Sequence, residues 1–182
     1  MELDFKKAPP LYDNQTVKRY KNTKVFLSQF TINGNVLDIG GANWIGNKLA
    51  EDFGLEYHTT NCDLDYGFDA TDKYDNIFCF EVLEHLFNPL FCLENIKKHL
   101  KPDGKIFISI PKRHPHLLWG KNHFHEFDRD RFRYMLEQAK LKVIKQKTCL
   151  QRYDWIFYFT GIRPILRLLF FKPKNHIYFI QL

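Results

Sequence analysis

The sequence lacks the marks of a membrane, secreted or fibrous chain. Its longest apolar stretch, residues 155–171, is broken by Gly161, Arg163, Pro164 and Arg167. A spanning helix needs about 20 predominantly apolar residues, so none is expected. The opening Met-Glu-Leu-Asp-Phe-Lys-Lys has no apolar signal core. The four cysteines (Cys62, Cys79, Cys92, Cys149) form no Cys-x-x-Cys pair and sit among apolar neighbours. That pattern fits buried, reduced thiols and a cytoplasmic setting better than a disulfide framework. Nine glycines and eight prolines are too few for a collagenous or low-complexity chain, and no internal repeat is visible. What is abundant is aromatic: 18 Phe, within a chain that is 45% hydrophobic, exclude disorder. At 182 residues the chain is long enough for one domain with a real core.

Acidic residues are scarce at one end only. From residue 140 to 182, nine basic residues stand against the single acid Asp154, a net +8. The whole chain carries +6, so residues 1–139 are left at −2. A basic chain invites nucleic acid as a partner, but here the basicity is a property of one terminal segment.

Apolar periodicity alternates between short runs and helical spacing. Helices are expected over 16–30, 45–53 (stopped by Gly54), 89–100, 128–139 (capped by Asp128) and 164–171. Strands are expected over 36–39, 55–61, 76–80, 105–110, 142–148 and 177–181, with a turn at Pro102-Asp103-Gly104. Strands alternating with helices of ~10 residues mean crossover units, hence an α/β fold with a mostly parallel sheet. The irregular link between the last two strands is where an antiparallel edge strand enters. Ligands of such sheets sit beyond the carboxyl ends of the strands, which directs attention to the residues after Ile39, Asn61, Phe80 and Ile110.

The first such place reads Leu37-Asp38-Ile39-Gly40-Gly41-Ala42-Asn43-Trp44-Ile45-Gly46. Small residues between strand and helix let a ligand approach backbone N–H groups, although a bare tight turn would look the same. No Gly-Lys-Ser/Thr follows, and the dinucleotide glycine spacing is missing. Further on stand Phe80-Glu81-Val82-Leu83-Glu84-His85-Leu86 and Leu100-Lys101-Pro102-Asp103-Gly104. In this order and spacing the three segments resemble the class I S-adenosylmethionine-dependent methyltransferases, in the small-molecule type 11/23 branch. The resemblance runs over about residues 36–144 and takes in Glu126-Phe127.

The resemblance implies a three-layer Rossmann-like sheet, mostly parallel with an antiparallel last strand, and S-adenosylmethionine as cofactor. It implies a single domain in which residues 1–34 are an N-terminal helical extension and 150–182 complete the sheet. Gly40, Gly41 and Ala42 would lie under the methionine part of the cofactor, with Asp38 ordering that loop. Glu81, Val82 and His85 would flank it, and Asp69 would meet the adenine amino group. An acidic lining of Asp38, Glu81 and Glu84, with Trp44, also suits a sulfonium cation.

Two departures stand out. Trp44 occupies the place of the family's third glycine, and Asn61 falls where the family has its ribose-binding acid, with Asp63 two residues on. A carboxylate accepts from both ribose hydroxyls; an amide accepts one and donates one. The stretch between Cys62 and Asp75 is also too short for the usual helix.

Residues 111–126 hold four of the eight histidines. In the family this loop covers the acceptor, so His123 and His125 are the candidate general bases for a hydroxyl acceptor. The alternative is that His125-Glu126 only docks the loop. No metal is expected, because Lys112, Arg113 and Lys121 disfavour a divalent cation among these histidines. The basic aromatic tail reads either as a helix packed on the sheet or as an interfacial element. The latter would present Trp155, Arg163 and Arg167 to an anionic membrane surface or a lipid-linked acceptor at the inner face of the membrane.

Three functions follow. The leading one is methyl transfer to an oxygen or nitrogen of a small molecule, such as a sugar or cell-envelope precursor. The second is a non-catalytic binding or scaffold protein on a degenerate fold of this kind, for which Trp44 and Asn61 speak. Nucleic-acid methylation is disfavoured and no nucleic-acid partner is expected, since the chain has no Asn/Asp-Pro-Pro-aromatic run after Phe80.

Overall fold

Residues 14–69, 72–113, 122–150 and 174–182 are described by a computed structural model. The expected helix at 164–171, the tail residues Trp155, Arg163 and Arg167, and His114 and His116 lie outside the described residues. Among these residues the α-helices are α1 (Asn14–Leu27), α2 (Trp44–Phe53), α3 (Pro89–Lys98) and α4 (Arg129–Gln138). The strands are β1 (Asn35–Asp38), β2 (Glu56–Thr59), β3 (Tyr74–Phe80), β4 (Leu100–Pro111), β5 (Lys142–Leu150) and β6 (Lys174–Gln181).

The helix ends follow local chemistry. Asn43 caps α2 by accepting from the Gly46 N–H at 2.9 Å, and Gly54 ends it in the left-handed region at φ 64°. Asn88 caps α3 with Pro89 in its first turn, and Asp128 accepts from the Asp130 and Arg131 amides to start α4. Lys97, in the last turn of α3, donates to the Ala139 carbonyl at 2.7 Å and ties α3 to the end of α4.

The sheet order is β2-β1-β3-β4-β6-β5. β2, β1, β3 and β4 are parallel, and β6 runs antiparallel to both of its neighbours. Neighbouring strand residues point to opposite faces, and the buried apolar residues obey that alternation. Leu37, Ile77, Cys79, Ile106, Ile108 and Tyr178 form one core with α3 and α4. Val36, Phe78, Phe107, Ile177 and Phe179 form the other with α1 and α2. Helices therefore cover both faces of the sheet, the expected three-layer arrangement.

The structure differs from expectation in three places. The last strand is antiparallel but not an edge: β6 inserts between β4 and β5, where its apolar residues gain a neighbour on both sides. The expected turn at 102–104 is absorbed into β4. There Tyr74 pairs with Leu100 and Asn76 with Lys105, so residues 101–104 arch out of the ladder. That same pairing ends α3 at Lys98 rather than at residue 100. The link from β2 to β3 carries no helix among its described residues, as its length implied.

Candidate functional site

The carboxyl ends of β1 and β3 carry the two most unusual backbone segments. Gly40 and Gly41 both take positive φ, 109° and 89°. A Cβ on Gly40 would stand 2.7 Å from Val82 Cγ2, so the turn and the β3 end touch only because the residue is glycine. Glu81, directly after β3, adopts φ 57°. That left-handed conformation is costly for a side chain of this size and marks a position held for a purpose. Its carboxylate accepts from the Ser109 hydroxyl at 2.8 Å and lies 3.8 Å from Arg19 of α1.

Beneath the turn, Asp38 is buried, and one of its oxygens accepts from Asn43 Nδ2 and from the Tyr57 hydroxyl, both at 2.8 Å. Asn43 also donates to the Gly41 carbonyl at 3.2 Å, and Gly40 donates its N–H to Thr60 Oγ1 at 3.0 Å. Asp38 thus braces the loop from below and is not among the residues lining the two cavities described next. Burial pushes its carboxyl up to about 7, against the pull of the two donors.

Two cavities open here. One, of about 390 Å³, is lined by Gly40, Gly41, Thr60, Asn61, Asp63 and Leu64, together with Glu81, Val82 and His85. The other, of about 360 Å³, lies toward α1, between Thr16, Arg19, Thr23, Trp44, Ser109 and Asn175. Gly40, Glu81, Val82 and His85 line both. Trp44 is a wall rather than a plug: its ring meets Tyr20 edge-on, with centroids 5.2 Å apart.

Of the residues singled out from the sequence, the first cavity gathers Gly40, Gly41, Asn61, Asp63, Glu81, Val82 and His85. Ala42 and Asp69 are exposed and line neither cavity. His123 and His125 also line neither. His125 points to the Phe87 carbonyl at 3.3 Å and stacks on Phe127. His123 packs edge-on against His85 with ring centroids 4.9 Å apart. Glu84 is buried, at 1% exposure, and burial together with the neighbouring Glu81 pushes its carboxyl up to about 9.

Sequence reasoning missed Arg19, Asn175 and Thr60. Arg19 comes from a helix outside the recognisable motifs and has no local signal. Asn175 begins the antiparallel β6, whose start lies beside the end of β4, pairing with Pro111. Thr60 could have been found, since it follows β2 at the carboxyl edge.

A family model described as a methyltransferase domain matches residues 12–146. A curated ubiquinone biosynthesis O-methyltransferase from Actinobacillus pleuropneumoniae is 37% identical over 75 residues. That match covers 38% of this chain and 32% of the relative, so the chain aligns with about a third of the relative's length. Among solved structures, an S-adenosylmethionine-dependent methyltransferase from Archaeoglobus fulgidus superposes with a TM-score of 0.68 at 14% identity, covering 94% of this chain and 96% of that one. A [4+2]-cyclase superposes at 0.62 with 12% identity, covering 89% and 80%. The family match over residues 12–146, a range that takes in the strand–glycine turn and the Glu81–Leu86 segment described above, places this chain in the class I S-adenosylmethionine-dependent methyltransferase family, in its type 11/23 branch.

Proposed function

We propose that the protein transfers a methyl group from S-adenosylmethionine to an oxygen of a small-molecule acceptor. The observation that carries this reading is the pair of cavities meeting on one wall of Gly40, Glu81, Val82 and His85. The cofactor fits the cavity that the glycine turn opens, because a side chain at Gly40 would collide with Val82 there. In this reading Gly40 and Gly41 lie under its methionine part and Asn61 and Asp63 face its ribose. S-adenosylmethionine supplies an electrophilic methyl carbon on a sulfonium.

The acceptor belongs to the cavity toward α1. Its polar lining, Arg19, Ser109, Thr16 and Thr23, suits a hydroxylated molecule. Asn175 adds a buried Oδ1 without a hydrogen-bond partner among the described residues. An acceptor hydroxyl donating to that oxygen would satisfy it. Holding acceptor and donor on either side of one wall supplies orientation, worth up to ~7–11 kcal/mol in well-aligned reactants. Oxygen as the methylated atom is supported by the relatives named O-methyltransferases. The test is calorimetric titration with S-adenosylhomocysteine, followed by mass spectrometry of hydroxylated acceptors incubated with S-adenosylmethionine. Absence of binding at roughly 1 mM, weaker than about −4 kcal/mol, would sink it and favour the non-catalytic alternative.

An anionic acceptor or lipid surface at the basic end, net +8 over residues 140–182, belongs to the same proposal. No helix among the described residues is long and apolar enough to cross a membrane. Co-sedimentation with anionic vesicles at low salt tests the contact, and its absence removes it.

A further inference from the structure

Glu84, His85 and His123 bring one ligand atom each to within 4.8 Å of one another. Glu84 belongs to the short 3-10 turn Leu83–His85, and His123 comes from the segment before α4, whose Phe124 and His125 amides both donate to the Glu84 carbonyl. Those two bonds clamp the histidine-bearing segment over the turn. The cluster has the shape of a site rather than a chance meeting, for two independent reasons.

First, both imidazoles have Nδ1 committed elsewhere. His85 Nδ1 lies 2.9 Å from the Asn122 carbonyl, and His123 Nδ1 lies 3.2 Å from Glu126 Oε1. Each acceptor holds the proton on Nδ1 and leaves the Nε2 lone pair available. This is the outer-shell arrangement that orients metal-binding histidines. Second, the Glu84 side chain is buried, and among the described residues its Oε2 has no hydrogen-bond partner. A buried carboxyl oxygen left unpaired carries a cost, and a bound cation that displaces the acid's proton relieves it directly. Arg113, whose charge counted against a cation in the sequence, instead pairs with Asp128 at 3.7 Å.

The geometry points to a divalent transition-metal site formed by Glu84, His85 and His123, with Glu126 as the outer partner of His123. Two imidazoles and one carboxylate suit zinc, cobalt(II) or manganese(II) rather than calcium. Around a cation with bonds of ~2.1 Å, tetrahedral ligand atoms stand about 3.4 Å apart. The His85 ring, 44% exposed, has room to close the remaining gap. Three protein ligands leave a coordination position for an outside oxygen. His85 lines both cavities, so the bound cation stands beside the junction where the acceptor hydroxyl is expected. A hydroxyl on the cation would lose its proton to solvent more readily. That role rests on the methyl-transfer reading; the metal site itself does not.

The test uses tag-free protein, stripped of metal with a chelator and titrated with cobalt(II). Visible d–d absorption and calorimetry report binding, and S-adenosylhomocysteine is titrated in parallel. One saturable cobalt per chain is expected, with intensity characteristic of low coordination number. His123→Ala and Glu84→Gln should each weaken binding by about tenfold or more, and Glu126→Ala by about 10–100-fold. His123 lines neither cavity, so His123→Ala should keep its affinity for S-adenosylhomocysteine, and thermal melting verifies its fold if Glu84→Gln does not fold. No saturable cobalt signal, or a signal that survives His123→Ala, overturns the site. Cobalt binding without S-adenosylhomocysteine binding leaves the site standing and counts against methyl transfer.

Discussion

Gly46→Ala sets a propensity rule against the structure. Gly46 is the third residue of α2, is buried, and has no unusual φ. Alanine is the better helix former by about 1 kcal/mol, so helix propensity alone predicts stabilisation. A Cβ at this position, however, would stand 1.8 Å from Asp38 Oδ2 and 3.1 Å from the Tyr57 hydroxyl. That oxygen is the one that accepts from Asn43 and Tyr57. Ordinary contact needs about 3.4 Å, so Asp38 must move by roughly 1.5 Å and lose at least one bond. A hydrogen bond to a charged group is worth about 1.5–3 kcal/mol, and overpacking adds about 1–3 kcal/mol. After the helix gain the net loss is about 1.5–5 kcal/mol. For a chain of this size that lowers the melting temperature by roughly 5–15 °C. Asn43 links Asp38 to the Gly41 carbonyl, so affinity for S-adenosylhomocysteine should fall as well. Thermal melting and calorimetry read both, and an unchanged or raised melting temperature would refute the bracing role given to Asp38.

Three further outcomes are expected. Asp38 binds its proton more tightly folded than unfolded, so its contribution to stability is full below pH ~4, declines as pH rises, and is gone above about 7. Asp38→Asn should remove up to about 1.4 kcal/mol per pH unit of that slope, read by urea denaturation of both proteins between pH 4.5 and 7.5; parallel slopes would contradict it. Asn61→Asp should tighten S-adenosylhomocysteine several-fold, about 1 kcal/mol for a regained charge-assisted hydrogen bond, and unchanged affinity would take residue 61 away from the ribose. Gly40→Ala combines a positive φ with a 2.7 Å approach to Val82. It should cost about 1–3 kcal/mol of stability and at least about tenfold in affinity, with wild-type binding the contrary result.

The sheet core was legible because a strand covered on both faces reads as a continuous apolar run: Val36-Leu37 and Ile106-Phe107-Ile108 each send neighbours to opposite faces. The glycine turn and the Glu81–Leu86 segment were legible because their motifs are local. What was hidden depends on partners distant in the chain. Nothing near Trp44 reveals that its ring turns onto Tyr20 of α1. Nothing near Arg19 reveals Glu81. The histidines were visible as a cluster along the chain, but the grouping of His123 with Glu84 and His85 arises from backbone bonds between separate segments. The arch at 101–104 was seen as a turn because proline and glycine mark a break without saying whether pairing resumes beyond it.

The position of β6 has a consequence for how the chain acquires its structure. Among the described strands β5 pairs with β6 alone, which is synthesised after it, and β4 keeps an open edge until then. During synthesis the part of the sheet from β2 to β4 can assemble, while β5 has no ladder to join. Residues 106–110, apolar and unpaired on one side, are in that interval a template for another chain. Stalling or cleavage before Lys174 would therefore yield an adhesive fragment rather than a smaller, well-behaved protein. Vulnerability to aggregation should be concentrated in the time between the synthesis of β4 and the arrival of those eight residues.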